Sequence, residues 1–243
     1  MALKDDIKNK AKAIVDEKFV VTDVDYVPDI TNTKLTFGCT GLQFESTVLF
    51  IDMRGSTKIL NSHNKSTVAK IHMVYFHTII NIAKSMDGEV RSFNGDSMLV
   101  FFQGTTKNSL SNAVKAAMQM KYALTQVVNP YLEKYSSVDF GIGLDHGKVL
   151  CTKIGLGRNS NHQDLIWIGN AVNKSTVIGD KCSKPNHIGI SNKVYENLND
   201  NVKYHNRKNS WGQVEKVNMW NSAWMVYNDK NEKYWHTNYY WAI

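Results

Sequence analysis

Two aspartates end extended runs of the chain in a way that suits chemistry. Asp52 closes residues 46–52 (STVLFID), a short, nearly all-apolar run that reads as a buried strand, and Asp96 follows Asn94-Gly95, the dipeptide that tolerates positive φ in a tight hairpin. Should the two strand ends lie side by side, paired carboxylates without histidine or cysteine nearby suit hard, oxygen-liganded ions such as Mg²⁺ or Mn²⁺, which bridge protein to substrate phosphates. Either aspartate alone reads as an ordinary turn or cap acid. Directly after Asp52, Arg54-Gly55-Ser56-Thr57 offers free backbone N–H groups and hydroxyls at a strand-to-helix turn, a place for phosphate oxygens or, as plainly, a helix cap. GxxxxGK[ST] and GxGxxG are both missing, so a P-loop or Rossmann site is not supported.

Other chemistry-bearing residues assemble nothing. His72 and His77 are five apart, off a common helix face, and no HExxH occurs. Asp145-His146 and the three cysteines, Cys39, Cys151 and Cys182, form no readable triad or zinc spacing, so the cysteines are expected to be reduced bystanders. A formal charge of +7 favours a polyanionic partner, whether nucleic acid, an acidic surface or a nucleoside triphosphate, although the lysines are scattered as on any solvated surface. No apolar run approaches the roughly 18 residues of a membrane span, and the start is too polar for a secretory signal. A soluble, cytoplasmic protein with no membrane partner is the expectation.

The elements that must position the aspartates follow from periodicity. Leu3, Ile7, Ala11 and Ile14 recur at helical spacing in an amphipathic N-terminal helix, and residues 23–41 read as a connecting segment. Val68, Ile71, Tyr75, Ile79, Ile82 and Met86 trace the buried face of a long helix that stops at Gly88; residues 89–94 and 97–102 form the hairpin that presents Asp96. Leu110 to Val127 carries a second helical stripe, closed near Pro130. Residues 138–144 and 148–154 read as a strand pair broken by an Asp145-His146-Gly147 turn. Then come a strand at 165–168, a helix at 170–178, a strand at 187–190 and a helix from 191 to 198 capped by Ser191; five of the six tryptophans crowd the tail from 211 on, as expected of a core or interface. The pattern implies an α+β, ferredoxin-like split βαβ sandwich with an N-terminal helix and a C-terminal aromatic-rich extension. Its expected divisions are 1–43, 44–200 as the catalytic unit, and 201–243, packing on that unit or on a dimer interface.

STVLFIDMRGSTKIL, GEVRSFNGDSMLVFF, VDFGIGLDHGKVLCTKIG and IWIGNAVNKST occur in the order and approximate spacing of the class III nucleotidyl cyclase catalytic domain, so residues 46 to 190 resemble that family. The resemblance implies a homodimer with active sites between subunits. It implies two divalent metal ions, Mn²⁺ or Mg²⁺, on Asp52, Asp96 and the carbonyl of Met53, and a ribose-orienting Asn173. It also implies in-line attack of the ribose 3′-hydroxyl on the α-phosphate of a nucleoside triphosphate, with loss of pyrophosphate.

The departures from the family pattern concern the base and the phosphates. Ser92 stands where purine cyclases carry lysine or glutamate, and Ile166 where adenylate cyclases carry a polar base reader. Val177 stands where a transition-state arginine is usual, which leaves Lys174, Lys181 and Arg158 as replacement candidates. The MRGST form after Asp52, the missing purine readers and the aromatic tail resemble the pyrimidine cyclases of bacterial Pycsar antiphage systems. That resemblance implies UTP or CTP as substrate, with UTP slightly favoured, and a separate effector activated by the cyclic nucleotide. Three rival readings remain: a purine cyclase with other base readers, an RNA-binding module, and a catalytically silent nucleotide sensor. Against the RNA-binding module, no RNP-like aromatic motif lies on the central strands.

Overall fold

The computed structural model describes residues 2–156 and 160–243. Two long strands, β2 (Thr40–Arg54) and β5 (Asp139–Gly155), run antiparallel through its centre, with Asp52 opposite Gly141. The other strands are β1 (Val20–Asp23), β3 (Glu89–Asn94), β4 (Ser97–Gln103), β6 (Gln163–Ile168), β7 (Ile188–Ser191), β8 (Tyr204–Lys208), β9 (Val214–Asn218), β10 (Asn221–Tyr227) and β11 (Lys230–Thr237). The main sheet has the order β10-β11-β7-β5-β2-β4-β3, with β1 added to β2 and β6 to β5, while β8 and β9 pair separately. The helices are α1 (Leu3–Asp16), α2 (Ser56–Ser62), α3 (Lys65–Ser85), α4 (Lys107–Tyr122), α5 (Asn129–Leu132), α6 (Asn170–Asp180), α7 (Asn192–Glu196) and α8 (Asp200–Lys203).

Strand alternation decides what each face holds. Leu49, Ile51 and Met53 of β2 and Phe140, Ile142 and Leu144 of β5 share the main core with Ile71, Tyr75 and Ile79 of α3 and Ala113, Val114 and Ala117 of α4. Each large apolar side chain buried there contributes about 1.5–3 kcal/mol. The intervening positions meet other partners: Val48 packs with Phe44, Phe101, Val149 and Ala171 of α6. Gly141 and Gly143 belong to this second set. A Cβ on Gly143 would collide with backbone atoms of Ser175 and Gly179, and one on Gly141 with the Cys182 and Gly179 carbonyl oxygens and the Arg54 guanidinium. Two residues without side chains therefore let α6 lie directly on β5.

The ferredoxin-like α+β sandwich read from the sequence is present, with corrections. Residues 138–154 form no hairpin: β5 runs unbroken from Asp139 to Gly155, and Asp145 and His146 stay inside it, held by pairing to Val48 and Thr47 of β2. Segment 23–41 is not wholly connecting, because β2 begins at Thr40 and β1, just before the segment, pairs with it in parallel. Pro130 does not close the second helix; the chain passes from α4 through a π-helical stretch, Ala123–Val128, into α5, where Pro130 sits near the helix start. Helix α1 forms as its spacing predicts, yet buries no residue. The tail tryptophans divide: Trp220 is buried, and Trp235 and Trp241 pack on the core, whereas Trp211 and Trp224 are exposed. The cysteines are free and buried.

Two tests follow from the packing. Gly143→Ala should lose about 1–3 kcal/mol or more of unfolding free energy in urea, because the obstructing atoms are backbone and cannot turn aside; wild-type stability would contradict the seating of α6. The second concerns the buried Lys121, whose ammonium donates to the carbonyl oxygens of Pro185 and Asn238, at 2.9 and 2.7 Å, and so ties the tail to α4. Burial lowers its pKa from 10.5 to about 8. Between those values the unfolded chain binds more protons at this site than the folded one, so the contribution of Lys121 to stability rises with pH. The rise should vanish in Lys121→Met when urea midpoints are compared across that range, and an equal pH dependence in the two proteins would contradict it.

Candidate active site

Asp52 and Asp96 come together at one end of the sheet. In the β2–β4 register Asp52 faces Ser97, the residue after Asp96, and Gly95 takes φ +63°, the left-handed value that turns the hairpin. Burial raises the Asp52 carboxyl above its ordinary pKa, and the negative charge of Asp96 raises it further, against the pull of Arg54. Two acids that repel each other in a half-buried place call for a cation. Among the described residues no group of three or more His, Cys, Asp or Glu could hold a metal ion. A cation at this end would therefore draw on the two carboxylates, the adjacent Met53 carbonyl and the oxygens of a bound phosphate. Tyr75, fully buried on α3, has no hydrogen-bond partner for its hydroxyl among the described residues, and burial first, then the charges of Asp52 and Asp96, push its phenol well above the ordinary range. Two carboxylates with a single guanidinium between them, beside oxygen donors of the turn, fit a divalent ion.

The turn after Asp52 divides its four residues between two tasks. Gly55 precedes α2 with φ +71°. Ser56 and Thr57 line a cavity of about 320 Å³ together with Leu60, Val68, His72, Gly95 and Asp96. His72 Nδ1 bonds the Val68 carbonyl at 2.9 Å, and nothing bonds Nε2 among the described residues. Arg54 points elsewhere: it donates to Asp52 Oδ2 at 2.7 Å and to the carbonyl oxygens of Cys182, at 3.1 Å, and Gly179, and lies 3.5 Å from Asp180. Rather than facing the cavity, Arg54 fastens the end of β2 to the end of α6.

Helix α6 presents Asn173 on its exposed face, with nothing bonded to its side chain among the described residues. One turn on, Thr176 lines a second cavity, of about 210 Å³, with Phe50, Ser92, Asn94, Ser97, Met98 and Leu99. The structure thus brings Ser92 to a small recess edged by short hydroxyl and amide side chains. Ile166 is not among its lining residues; it stands exposed on β6. Thr176 and Phe50 were not singled out from sequence, and Asn94 only as a turn residue, although Thr176 lies three residues after Asn173 and so on a neighbouring helix face.

The β10–β11 hairpin grips another side of α6. Tyr227 donates to Asn170 Oδ1 at 2.9 Å, Lys174 Nζ lies 2.6 Å from Glu232 Oε2 and 4.9 Å from the Tyr227 ring centroid, and Val177 packs beside Met225, Tyr227 and Tyr234. Of the candidate replacements for an arginine at Val177, Lys174 is thus held by the hairpin, Lys181 is exposed, and Arg158 lies outside the described residues.

Comparison with known proteins identifies the family of the chain. Residues 43–236 match the profile of the adenylate and guanylate cyclase catalytic domain. A uridylate cyclase of Xanthomonas perforans is 29% identical over 248 residues, covering 100% of both chains. Another, of Burkholderia cepacia, is 28% identical over 215 residues, covering 87% of this chain and 91% of that one. Among solved structures, the guanylyl cyclase Cya2 superposes with a TM-score of 0.66 at 21% identity, over 82% of this chain and 93% of its own, a likeness of fold. Since the profile spans most of the chain, including both aspartates, α6 and the β10–β11 hairpin, the protein belongs to the class III adenylate and guanylate cyclase catalytic-domain family.

Proposed function

We propose that the protein is a metal-dependent pyrimidine nucleotide cyclase, converting UTP, or CTP, to the 3′,5′-cyclic monophosphate and pyrophosphate. The observation that carries the reaction is the electrostatically coupled pair Asp52 and Asp96 at one sheet end. The uridylate cyclases of similar sequence, and the small recess beside Ser92 with no lysine or glutamate at that position, support a pyrimidine base. A serine and a threonine hydroxyl with an asparagine amide offer both donors and acceptors to a compact Watson–Crick edge.

Asp52, Asp96 and the Met53 carbonyl would hold two divalent ions, Mn²⁺ or Mg²⁺, whose chemistry is to lower the pKa of the ribose 3′-hydroxyl and neutralise the phosphates and leaving group. Gly55, Ser56 and Thr57 receive phosphate oxygens through N–H and hydroxyl donors, and Arg54 braces Asp52 beside them. Asn173 orients the ribose so that the 3′-oxygen attacks the α-phosphorus in line with the departing pyrophosphate. Ser92 borders the base, and Ile166, outside that recess, lies near it by the family pattern. Membership of the cyclase family supports a homodimer as the working unit, with its sites at the interface. Residues 44–200 are the catalytic unit, 1–43 and 201–243 its additions, the latter packing on that unit through β11.

No helix among the described residues is long and apolar enough to cross a membrane. A cytoplasmic enzyme fits this reading, with a nucleoside triphosphate rather than nucleic acid as its anionic partner. In a bacterial antiphage system its product would act as a second messenger on a separate effector.

Asp52→Ala and Asp96→Ala should each abolish cyclisation of UTP by a folded dimer, whereas Asn173→Ala should lose most of it. Mixing Asp52→Ala with Asn173→Ala should restore about a quarter of wild-type activity, since half the dimers are then mixed and each carries one intact site. Full activity of either aspartate variant would refute the carboxylate assignment, and a mixture no better than its parts would refute the shared site.

A further inference from the structure

A further cavity, of about 360 Å³, opens where β5, β7 and α6 meet the β10–β11 hairpin, and it shares no lining residue with the two at the aspartate end. In the β2–β5 register its Asp145 faces Val48, four residues back from Asp52 and so about 13 Å away along β2. Alternation along β5 sets Gly141, Gly143, Asp145 and Gly147 on the face toward α6. The glycines admit the helix; Asp145, 5% exposed, instead puts a carboxylate into the cavity wall beside Ser191. Three lysines line the same space. Lys174 is held 2.6 Å from Glu232, while Lys148 and Lys193 stand exposed at the rim and pair with no acid among the described residues. Three lysines against two acids leave the lining net positive, yet its buried wall ends in a carboxylate.

We propose that this cavity is a second ligand site, distinct from the cyclising one, for a phosphate monoester that also carries hydroxyl groups, the sugar-phosphate class. The phosphate takes the rim, between the Lys148 and Lys193 ammonium groups. The hydroxyls donate inward to Asp145 and to the Glu232 carboxylate that Lys174 holds in place. A bare phosphate would meet the lysines but set a second anion against Asp145, and a neutral sugar would leave the lysines without a partner. A ligand bearing both kinds of group satisfies both walls. Burial raises the Asp145 carboxyl above its ordinary pKa, a cost that hydroxyl donors from an occupant relieve. The volume lies near the lower end of the range for small-molecule sites and suits one sugar ring with its phosphate.

The test uses the full-length protein with a chelator present, so that the aspartate end holds no cation, and ribose 5-phosphate as the probe, with inorganic phosphate and ribose beside it. Titration calorimetry and the ligand-dependent rise in melting temperature read the affinity. The wild type should bind ribose 5-phosphate saturably and more tightly than either fragment. Lys148→Met combined with Lys193→Met, both at exposed positions, should weaken that binding about 10-fold or more. Asp145→Asn should erase the preference over inorganic phosphate, and Asp96→Ala should bind as the wild type does. Adenosine 5′-monophosphate in the same assay identifies the source: tighter binding than ribose 5-phosphate makes a nucleotide the occupant, weaker binding a free sugar phosphate. No saturable binding by the wild type, or equal affinity in the double lysine variant, would overturn the proposal. So would loss of binding in Asp96→Ala, which would move the probe to the cyclising site. Synthesis of a cyclic nucleotide enters none of these readings, so failure of the proposed reaction leaves the test intact.

Discussion

The direct seating of α6 on β5 is the constraint from which the rest of the site follows. Gly141 and Gly143 leave no room for a Cβ between helix and sheet, and the helix backbone occupies that space. At this depth the carbonyl oxygens of Gly179 and Cys182 come within reach of Arg54, which holds Asp52 with its other nitrogen. The carboxylate end of β2 and the carboxyl end of α6 are thereby one rigid corner. With its inner face committed, α6 turns Asn173 outward, Thr176 toward Ser92, and Lys174 and Val177 toward the β10–β11 hairpin.

Against that packed corner, the electrostatics are deliberately unsettled. Asp52 and Asp96 share a half-buried place with one guanidinium between several acceptors, and burial and mutual repulsion both raise the Asp52 carboxyl. Folding alone gives no reason to put two acids there. In a chain with a net charge of +7, two acids set together at a sheet end suit the uptake of a cation, the basis of the proposed metal-dependent reaction. The hairpin brings the opposite balance on the far side of α6, where Glu232 neutralises Lys174. The position held by Val177 is closed by apolar packing against Met225, Tyr227 and Tyr234.

Much of this was legible in the sequence because it obeys short-range rules. The apolar run ending at Asp52, the Asn-Gly turn before Asp96 and the 3.6-residue stripe of α3 each depend on neighbours a few residues away. What was not legible depends on distant partners. Asp145-His146-Gly147 has the composition of a turn, but pairing with β2 along thirteen positions keeps it extended. Pro130 is a helix breaker in the interior yet harmless at the start of α5. Tyr75 falls on the apolar stripe of α3 and reads as core, which it is. Thr176 is an unremarked helical threonine until Ser92 arrives from another strand.

The central claim is that this corner cyclises a pyrimidine nucleotide. The most direct measurement is incubation of the purified protein with Mn²⁺ and ATP, GTP, CTP or UTP in turn, the products being resolved chromatographically against cyclic nucleotide standards. The account predicts one dominant cyclic pyrimidine monophosphate with equimolar pyrophosphate; a cyclic purine as the main product, or no cyclic product from any of the four, would contradict it.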